Sequence, residues 1–177
     1  QGGHASMFTG QLARRYAPEL ELAGVAAAAP VPNLKDAIRT GTQTAAGRVM
    51  VSYALWSWQQ VFGAPLARLV KPGDRKLVSS AASHCLNTIN YLAAVPPAIL
   101  LGKDFLTADP WRVEPWQGIM ERNTPGKSAV TAPLLLLNGT ADKLVDPDQT
   151  RGLARRMCGY GRPVVFRLVA GAEHGPT

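Results

Sequence analysis

The sequence predicts an α/β fold in which a parallel sheet is flanked by helices and interrupted by a large helical insertion. Three observations lead to this prediction. A strand–helix–strand pattern with short connections occupies the last part of the chain, which is typical of a parallel sheet. An apolar run at residues 20–29 lacks alternation and suits a buried parallel strand. Between them, residues 36–117 combine helical periodicity with repeated prolines and contain no clear strand.

The first two elements are a helix and a strand. The helix is predicted at residues 2–17, where Pro18 closes it. Its packing face is predicted from four apolar residues at helical spacing, Ala5, Phe8, Leu12 and Ala13. The apolar run at residues 20–29 ends at Pro30, and we expect this strand to be covered on both faces.

The later elements are longer helices in the insertion, followed by a strand–helix–strand unit. The insertion has helical patterns at Ala45–Phe62 and at residues 74–92, with prolines between and after them. After it, a strand at residues 132–137 runs into Asn138-Gly139. The unit is completed by a helix at Pro147–Cys158, with proline in its first turn, and a strand at Val164–Val169.

The composition favours a globular protein with one core and gives little support to a nucleic-acid partner. Hydrophobic residues make up 46% of the 177 residues, but every apolar stretch is too short or too interrupted by proline to span a bilayer. The 19 Lys and Arg against 12 Asp and Glu leave a net charge of +7. The basic residues are scattered, and Arg14-Arg15 and Arg155-Arg156 come nearest to clusters. We therefore interpret the charge as a solvated, mildly basic surface.

Asp142 and His174 are the residues whose spacing indicates chemistry. Asp142 follows the strand at residues 132–137, and His174 follows the strand Val164–Val169. Because functional groups of open α/β sheets gather at the carboxyl ends of strands, we expect this carboxylate and this imidazole to meet. A buried carboxylate holds an imidazole in one tautomer while the imidazole takes a proton from a nucleophile. Alone, each residue suits a turn or a packing role, but as a pair they favour catalysis.

The order of acid before histidine predicts a nucleophile upstream, in a G-x-S-x-G turn between a strand and a helix. The chain opens on Gln1-Gly2 and the predicted helix, a pattern typical of the residues after the serine in such a turn. We therefore expect the nucleophile to be the residue before Gln1. Ser6 lies inside the predicted helix without flanking glycines and is rejected for this role. The chain has no initial Met and no signal sequence, and we expect it to be a fragment.

Several separated segments occur in a specific order along the whole chain. They are Gln1-Gly2-Gly3-His4-Ala5, residues 26–34, Asn123-Thr124-Pro125, Ala132-Pro133-Leu134, residues 139–145 and Gly171-Ala172-Glu173-His174. In this order and spacing they resemble the secretory lipases of the α/β-hydrolase fold. The resemblance implies the carboxyl-terminal part of such an enzyme, starting just after the nucleophile serine. It also implies a secreted or cell-envelope protein.

The resemblance implies a role for individual residues. Asp142 matches the triad acid, His174 the triad histidine, and Gln1 the residue whose backbone N–H lines the oxyanion hole. The implied reaction is hydrolysis of acylglycerols or related lipid esters through an acyl-enzyme, including at a lipid–water interface, without a cofactor or metal. The step Val145-Asp146-Pro147 departs from the family pattern and leaves Asp146 as a rival acid. Because the serine is expected outside the chain, we expect the chain alone to be inactive.

The resemblance also divides the chain into three parts. Residues 1–34 hold the helix and strand that follow the nucleophile, residues 35–127 form a helical lid, and residues 128–177 carry the acid and the histidine. The large apolar side chains of the lid suit either the wall of an acyl tunnel or an ordinary core. They are Met50, Trp56, Trp58, Phe62, Trp111 and Trp116.

Some alternatives remain open at the level of the sequence. The fold also suits a non-catalytic binding module in which Asp142 and His174 are incidental, or an acyltransferase that uses the same triad. His4 suits either a supporting role behind the serine turn or packing of the helix on the sheet. Cys85 and Cys158 suit a disulfide and two buried thiols equally.

Overall fold

The computed structural model describes residues 2–84 and 88–174, and the chain divides into two compact units. We call them the core unit, Gln1–Leu34 with Thr124–Thr177, and the helical unit, Lys35–Asn123. In chain order the elements are α1 (Gly2–Tyr16), β1 (Val25–Ala28), α2 (Leu34–Gly41), α3 (Ala45–Phe62), α4 (Arg75–Ala82), α5 (Thr88–Leu100), α6 (Trp116–Arg122), β2 (Leu134–Gly139), α7 (Pro147–Cys158) and β3 (Val164–Val169). The predicted bounds of α3, α7 and β3 are confirmed.

The core unit is built on a parallel sheet with the strand order β1-β2-β3. Val25 is in register with Leu134, and Leu134 with Val164, so the amino ends of all three strands lie at one edge. The predicted α/β class and the parallel sheet are therefore confirmed. Because strands in register also end together, the loops after β2 and β3 leave from the opposite, carboxyl edge.

Both helices of the core unit pack on the same face of this sheet. The packed apolar residues include Met7, Val25, Ala27, Leu134, Leu136, Leu153 and Met157. On the other face Ala26 and Ala28 are exposed, and Val165 of β3 keeps 47% of its surface accessible. The expectation of a strand at residues 20–29 covered on both faces was therefore wrong in two respects. The strand pairs with β2 only over Val25–Ala28, and α1 covers only one of its faces.

The face of α1 that packs on the sheet combines Met7 with glycines and is not the predicted apolar stripe. Met7 is fully buried and Gly10 lies against Val25, where a Cβ would meet the Val25 side chain at 2.7 Å. A Cβ at Gly3 would overlap the backbone carbonyl of Ala28. Leu12, from the predicted stripe, keeps 47% of its surface exposed. Glycines at these positions let the helix axis approach the strand closely, which an apolar periodicity alone does not reveal.

The first long helix of the helical unit has a clear start and stop. The Thr44 side chain caps α3 by accepting a hydrogen bond from the Gly47 N–H, and Gly63 ends it with a φ of 65°.

The helix predicted at residues 74–92 is instead two helices, α4 and α5, and the second contains Pro96 and Pro97. These prolines deprive the carbonyls four residues earlier of their donors. Those carbonyls belong to exposed residues, Leu92 and Ala93, where water can bond them.

The large side chains of the helical unit are divided between its interior and its surface. Trp116 is fully buried, Trp58 is buried, and Phe62 keeps 44% of its surface exposed. Trp111 lines an open groove together with Ile38, Leu106 and Val113. Among the described residues, no helix is both long and apolar enough to cross a membrane.

Candidate active site

Asp142 lies just beyond the carboxyl end of β2, in a loop that encloses its carboxylate. The side chain has no solvent-accessible surface. Its Oδ1 accepts hydrogen bonds from the backbone N–H groups of Leu144 and Val145, at 2.8 and 2.9 Å. These two amides fix the direction of the carboxylate and partly replace the water that burial removes. The second oxygen, Oδ2, is left to face a neighbouring loop.

That loop places His174 against Asp142, as the spacing predicted. The His174 Nδ1 lies 2.9 Å from Asp142 Oδ2, and 32% of the imidazole side chain is exposed. A carboxylate only accepts hydrogen bonds, so Nδ1 carries the hydrogen and Nε2 presents its lone pair. The arrangement can therefore take a proton from a hydroxyl at Nε2 while the carboxylate stabilises the resulting imidazolium.

Two hydrogen bonds and one close backbone approach join the loops that carry Asp142 and His174. The Ala141 N–H donates to the Ala172 carbonyl at 3.0 Å, and the Gly171 N–H donates to the Thr140 hydroxyl at 2.8 Å. Gly139 ends β2 so close to the second loop that a Cβ there would overlap the Ala172 carbonyl oxygen. The distance between carboxylate and imidazole is thus set by several contacts in the two loops and does not depend on the side chains alone.

Two buried polar residues hold the Asp142 loop in place through hydrogen bonds. The sequence did not predict either of them. Asn138 is 2% exposed, and its amide nitrogen donates to the Val145 carbonyl at 3.1 Å and to Asp142 Oδ2 at 3.4 Å. Its amide oxygen accepts from the Thr150 hydroxyl of α7 at 2.6 Å. The sequence signal for these partners was Asn138 at the end of a run of four leucines. Burying an amide in an apolar strand is unfavourable unless the amide is hydrogen-bonded, so partners for it were to be expected.

Replacing Thr150 with valine tests whether this chain of hydrogen bonds stabilises the protein. Thr150→Val keeps the shape but leaves the buried Asn138 oxygen without its donor, which we expect to lower the free energy of unfolding by about 1–3 kcal/mol. Urea unfolding measures this loss. The matched control is Thr40→Val on α2, where the hydroxyl bonds a backbone carbonyl at an exposed position. An equal change in both variants would contradict the role given to Thr150.

The other predicted candidates make contacts of their own or lie outside the described residues. Asp146 is exposed and caps α7 by accepting from the Asp148 N–H at 2.9 Å. Ser6 donates to the Gly2 carbonyl within α1 at 2.9 Å. His4 stacks near Phe8 in the same helix, with ring centroids 5.2 Å apart. Gln1 lies outside the described residues.

Neither a metal site nor a disulfide adds to the described part of the structure. Residues 2–84 and 88–174 contain no group of three His, Cys, Asp or Glu side chains able to hold a metal ion. Cys158 is an exposed free thiol, whereas Cys85 lies outside the described residues.

Comparison with known proteins agrees with the predicted family and fold. The model of the family described as Secretory lipase matches residues 1–175. Candida antarctica lipase A has a TM-score of 0.67 at 19% identity, over 98% of this chain and 42% of its own. The rice cell wall degrading esterase LipA from Xanthomonas oryzae has a TM-score of 0.76 at 16% identity, over 97% and 49%. A Legionella pneumophila structure has a TM-score of 0.77 at 18% identity, over 98% and 49%.

The chain therefore spans about half the length of the solved structures that it matches. No curated protein matches the sequence.

Proposed function

Because the chain belongs to the secretory lipase family, we propose that the protein it comes from is a serine lipase or carboxylesterase acting on acylglycerols or related lipid esters. The observation that carries the proposal is the pair formed by Asp142 and His174, with 2.9 Å between Oδ2 and Nδ1. The carboxylate is buried and held by two amides, and the imidazole is partly open to solvent. Such a pair is suited to activating a hydroxyl nucleophile.

In this proposal His174 transfers the protons, and Asp142 holds the His174 imidazole in position. His174 Nε2 takes the proton of a serine hydroxyl as the serine oxygen bonds the ester carbonyl carbon. The imidazolium then gives that proton to the leaving alkoxide, and an acyl-enzyme remains. Water repeats the two steps, releasing the acid and restoring the serine. Asp142 stabilises the imidazolium in both half-reactions without becoming protonated itself.

We place the serine immediately before Gln1, at the start of α1. The support is the sequence Gln1-Gly2 where the helix begins, which fits the second half of a G-x-S-x-G turn. The backbone N–H of Gln1 then serves as one donor of the oxyanion hole, where the amino end of a helix favours negative charge. A second donor is expected from a segment of the longer protein that precedes this chain.

We further propose that the helical unit is the lid of this enzyme and that the protein is secreted. The support for a lid is that a compact set of helices is inserted between β1 and β2 of the core unit. The groove lined by Trp111, Ile38 and Leu106 offers apolar surface within that unit. Secretion is inferred from the family description.

Labelling of the full-length protein tests the nucleophile. A p-nitrophenyl phosphonate is expected to abolish hydrolysis of p-nitrophenyl butyrate and palmitate, and to modify only the serine before Gln1. Peptide mass spectrometry locates the modified residue. The Ser6→Ala variant is the matched control and is expected to keep full activity, because Ser6 is bonded within α1.

Two outcomes would contradict the proposal at different points. Phosphonate-sensitive turnover by residues 1–177 alone would show that the nucleophile lies within this chain. A folded full-length protein that hydrolyses none of a series of short- and long-chain esters would refute the lipase function itself.

A further inference from the structure

The folded core unit brings together basic residues that are scattered in the sequence. They lie at the end of the unit where the strands begin, which we call the basic end. Its six members are Arg14, Arg15, Lys127, Arg155, Arg156 and Arg162, all of them exposed. The residues are exposed, as expected of a solvated basic surface, but their scatter along the sequence does not carry over to the fold.

Contacts of the loop that contains Lys127 show why these residues converge. Gln11 of α1 donates to the Ser128 carbonyl at 3.0 Å and accepts from the Gly126 N–H at 3.2 Å. On its other side, Gly126 packs against α7, where a Cβ would lie 3.7 Å from the Arg156 guanidinium. The loop is therefore held between the carboxyl-terminal halves of the two helices.

Helical spacing adds the remaining charges to the same end. Arg14 and Arg15 are three and four residues after Gln11, so they lie on its side of α1, one turn nearer the helix terminus. Arg155 and Arg156 occupy the last turn of α7. Arg162 lies two residues before β3, at the edge where the strands start.

These six charges are not paired with carboxylates in the described part of the chain. In the described ranges, none of the six forms an ion pair with an Asp or Glu, whereas Arg39, Arg112 and Arg151 each do. Glu19 and Glu21, in the connection from α1 to β1, reduce the excess at this end without pairing with it. A helix dipole favours basic residues in the last turn of a helix, but it does not explain why two neighbouring helix ends and two loops bring six of them together. The concentrated positive field is suited to a polyanion.

We propose that the basic end binds an anionic polysaccharide through its sulfate or carboxylate groups. Tyr16 and Tyr160 lie within this end and keep 91% and 44% of their surfaces exposed, offering flat apolar faces with a polar tip to sugar rings. The family is described as secretory, and this description favours a polyanion found outside the cell, such as a polysaccharide.

The position of the basic end argues against a lipid membrane as the occupant. The six residues lie at the amino edge of the sheet, whereas Asp142 and His174 lie at the carboxyl edge, about 20 Å away along a six-residue strand. A membrane bound at the basic end would face away from the proposed site, but a polysaccharide would tether the enzyme and leave the site open. This orientation rests on the proposed function, whereas the binding itself does not.

Heparin, a sulfated polysaccharide, is the probe that tests this inference on the full-length protein. Two double variants, Arg14→Gln/Arg15→Gln and Arg155→Gln/Arg156→Gln, are each expected to weaken heparin binding several-fold. Their combination is expected to raise Kd at least tenfold and to reduce the slope of log Kd against log salt by roughly 3. Titration calorimetry at several NaCl concentrations measures both quantities.

The control removes the same charge from the helical unit, at the exposed residues Lys71, Lys76, Lys103 and Arg122, each changed to glutamine. This variant is expected to bind heparin nearly as the unaltered protein does. Equal weakening by control and combined variants would refute the basic end as a site. Tighter binding of phosphatidylglycerol vesicles or of single-stranded DNA than of heparin would overturn the choice of polysaccharide.

Ester hydrolysis and thermal unfolding serve as independent measurements. The combined variant is expected to keep its unfolding midpoint and its turnover of p-nitrophenyl butyrate, because its residues lie away from His174. Loss of turnover in a folded variant would contradict a separate site. A full-length protein that binds heparin through the basic end but hydrolyses no ester would refute only the proposed function.

Discussion

His174→Ala is expected to lower kcat for ester hydrolysis by the full-length protein on the order of 10⁵–10⁶-fold, with little change in KM. The variant removes the base that accepts the serine proton and the acid that protonates the leaving alkoxide, so both half-reactions lose their proton carrier. Initial rates with p-nitrophenyl butyrate measure the loss. Because 32% of the His174 side chain is exposed, its removal is not expected to leave a closed cavity in the core.

The chain has three histidines, so a matched control is available. His84→Ala, two residues after α4 in the helical unit, is expected to leave kcat within about twofold. Thermal unfolding of both variants checks that the fold is retained. A His174 variant with near-normal turnover, or an equal loss in the His84 variant, would exclude His174 as the proton carrier.

Much of the core unit can be predicted from local patterns in the sequence. Pro147 and Gly159 bound α7, and the apolar runs on either side of it become β2 and β3. Parallel strands that end at the same edge then bring Asp142 and His174 to 2.9 Å. Spacing along the chain is sufficient here because the connection is short and the topology of a strand–helix–strand unit is restricted.

Features decided by close packing could not be predicted in the same way. Gly3 and Gly10 let α1 lie against β1, so two contact positions of the helix have no side chain that a hydrophobic pattern could register. The length of β1 is set by its pairing with β2, which a local pattern does not contain. Asn138 and Thr150 form a contact between a strand and a helix twelve residues apart. Such partners are recognised only when both elements are in place.

The clustering of charge at the basic end could not be predicted from the sequence either. Arg14-Arg15 and Arg155-Arg156 are about 140 residues apart in sequence, and counting charges along the chain gives two unrelated pairs. They converge because α1 and α7 pack on one face of the sheet and because one short loop bonds Gln11 of α1 and packs, at Gly126, against α7. Electrostatic surfaces therefore depend on topology as well as on composition.

Asp142→Asn is expected to lower kcat of the full-length protein by about 10⁴-fold while leaving the fold intact. The asparagine oxygen can still accept from the Leu144 and Val145 N–H groups, so the loop keeps these two short hydrogen bonds and loses only the longer one, 3.4 Å, from the Asn138 amide. Its NH₂ group would then face His174 Nδ1 as a donor, which moves the imidazole hydrogen to Nε2. In that tautomer Nε2 cannot accept the serine proton. Nitrogen-15 NMR of the imidazole reports this change of tautomer directly, which a loss of stability alone would not produce.

The rival acid provides the matched control for this substitution. Asp146 accepts from the Asp148 N–H as the cap of α7, and asparagine is an equally good cap. Asp146→Asn is therefore expected to leave both kcat and the free energy of unfolding nearly unchanged. A large loss of kcat in Asp146→Asn, together with normal turnover in Asp142→Asn, would reverse the assignment. Because only Asp142 lies within hydrogen-bond distance of His174 in the described structure, the carboxylate that orients the imidazole is expected to be this one.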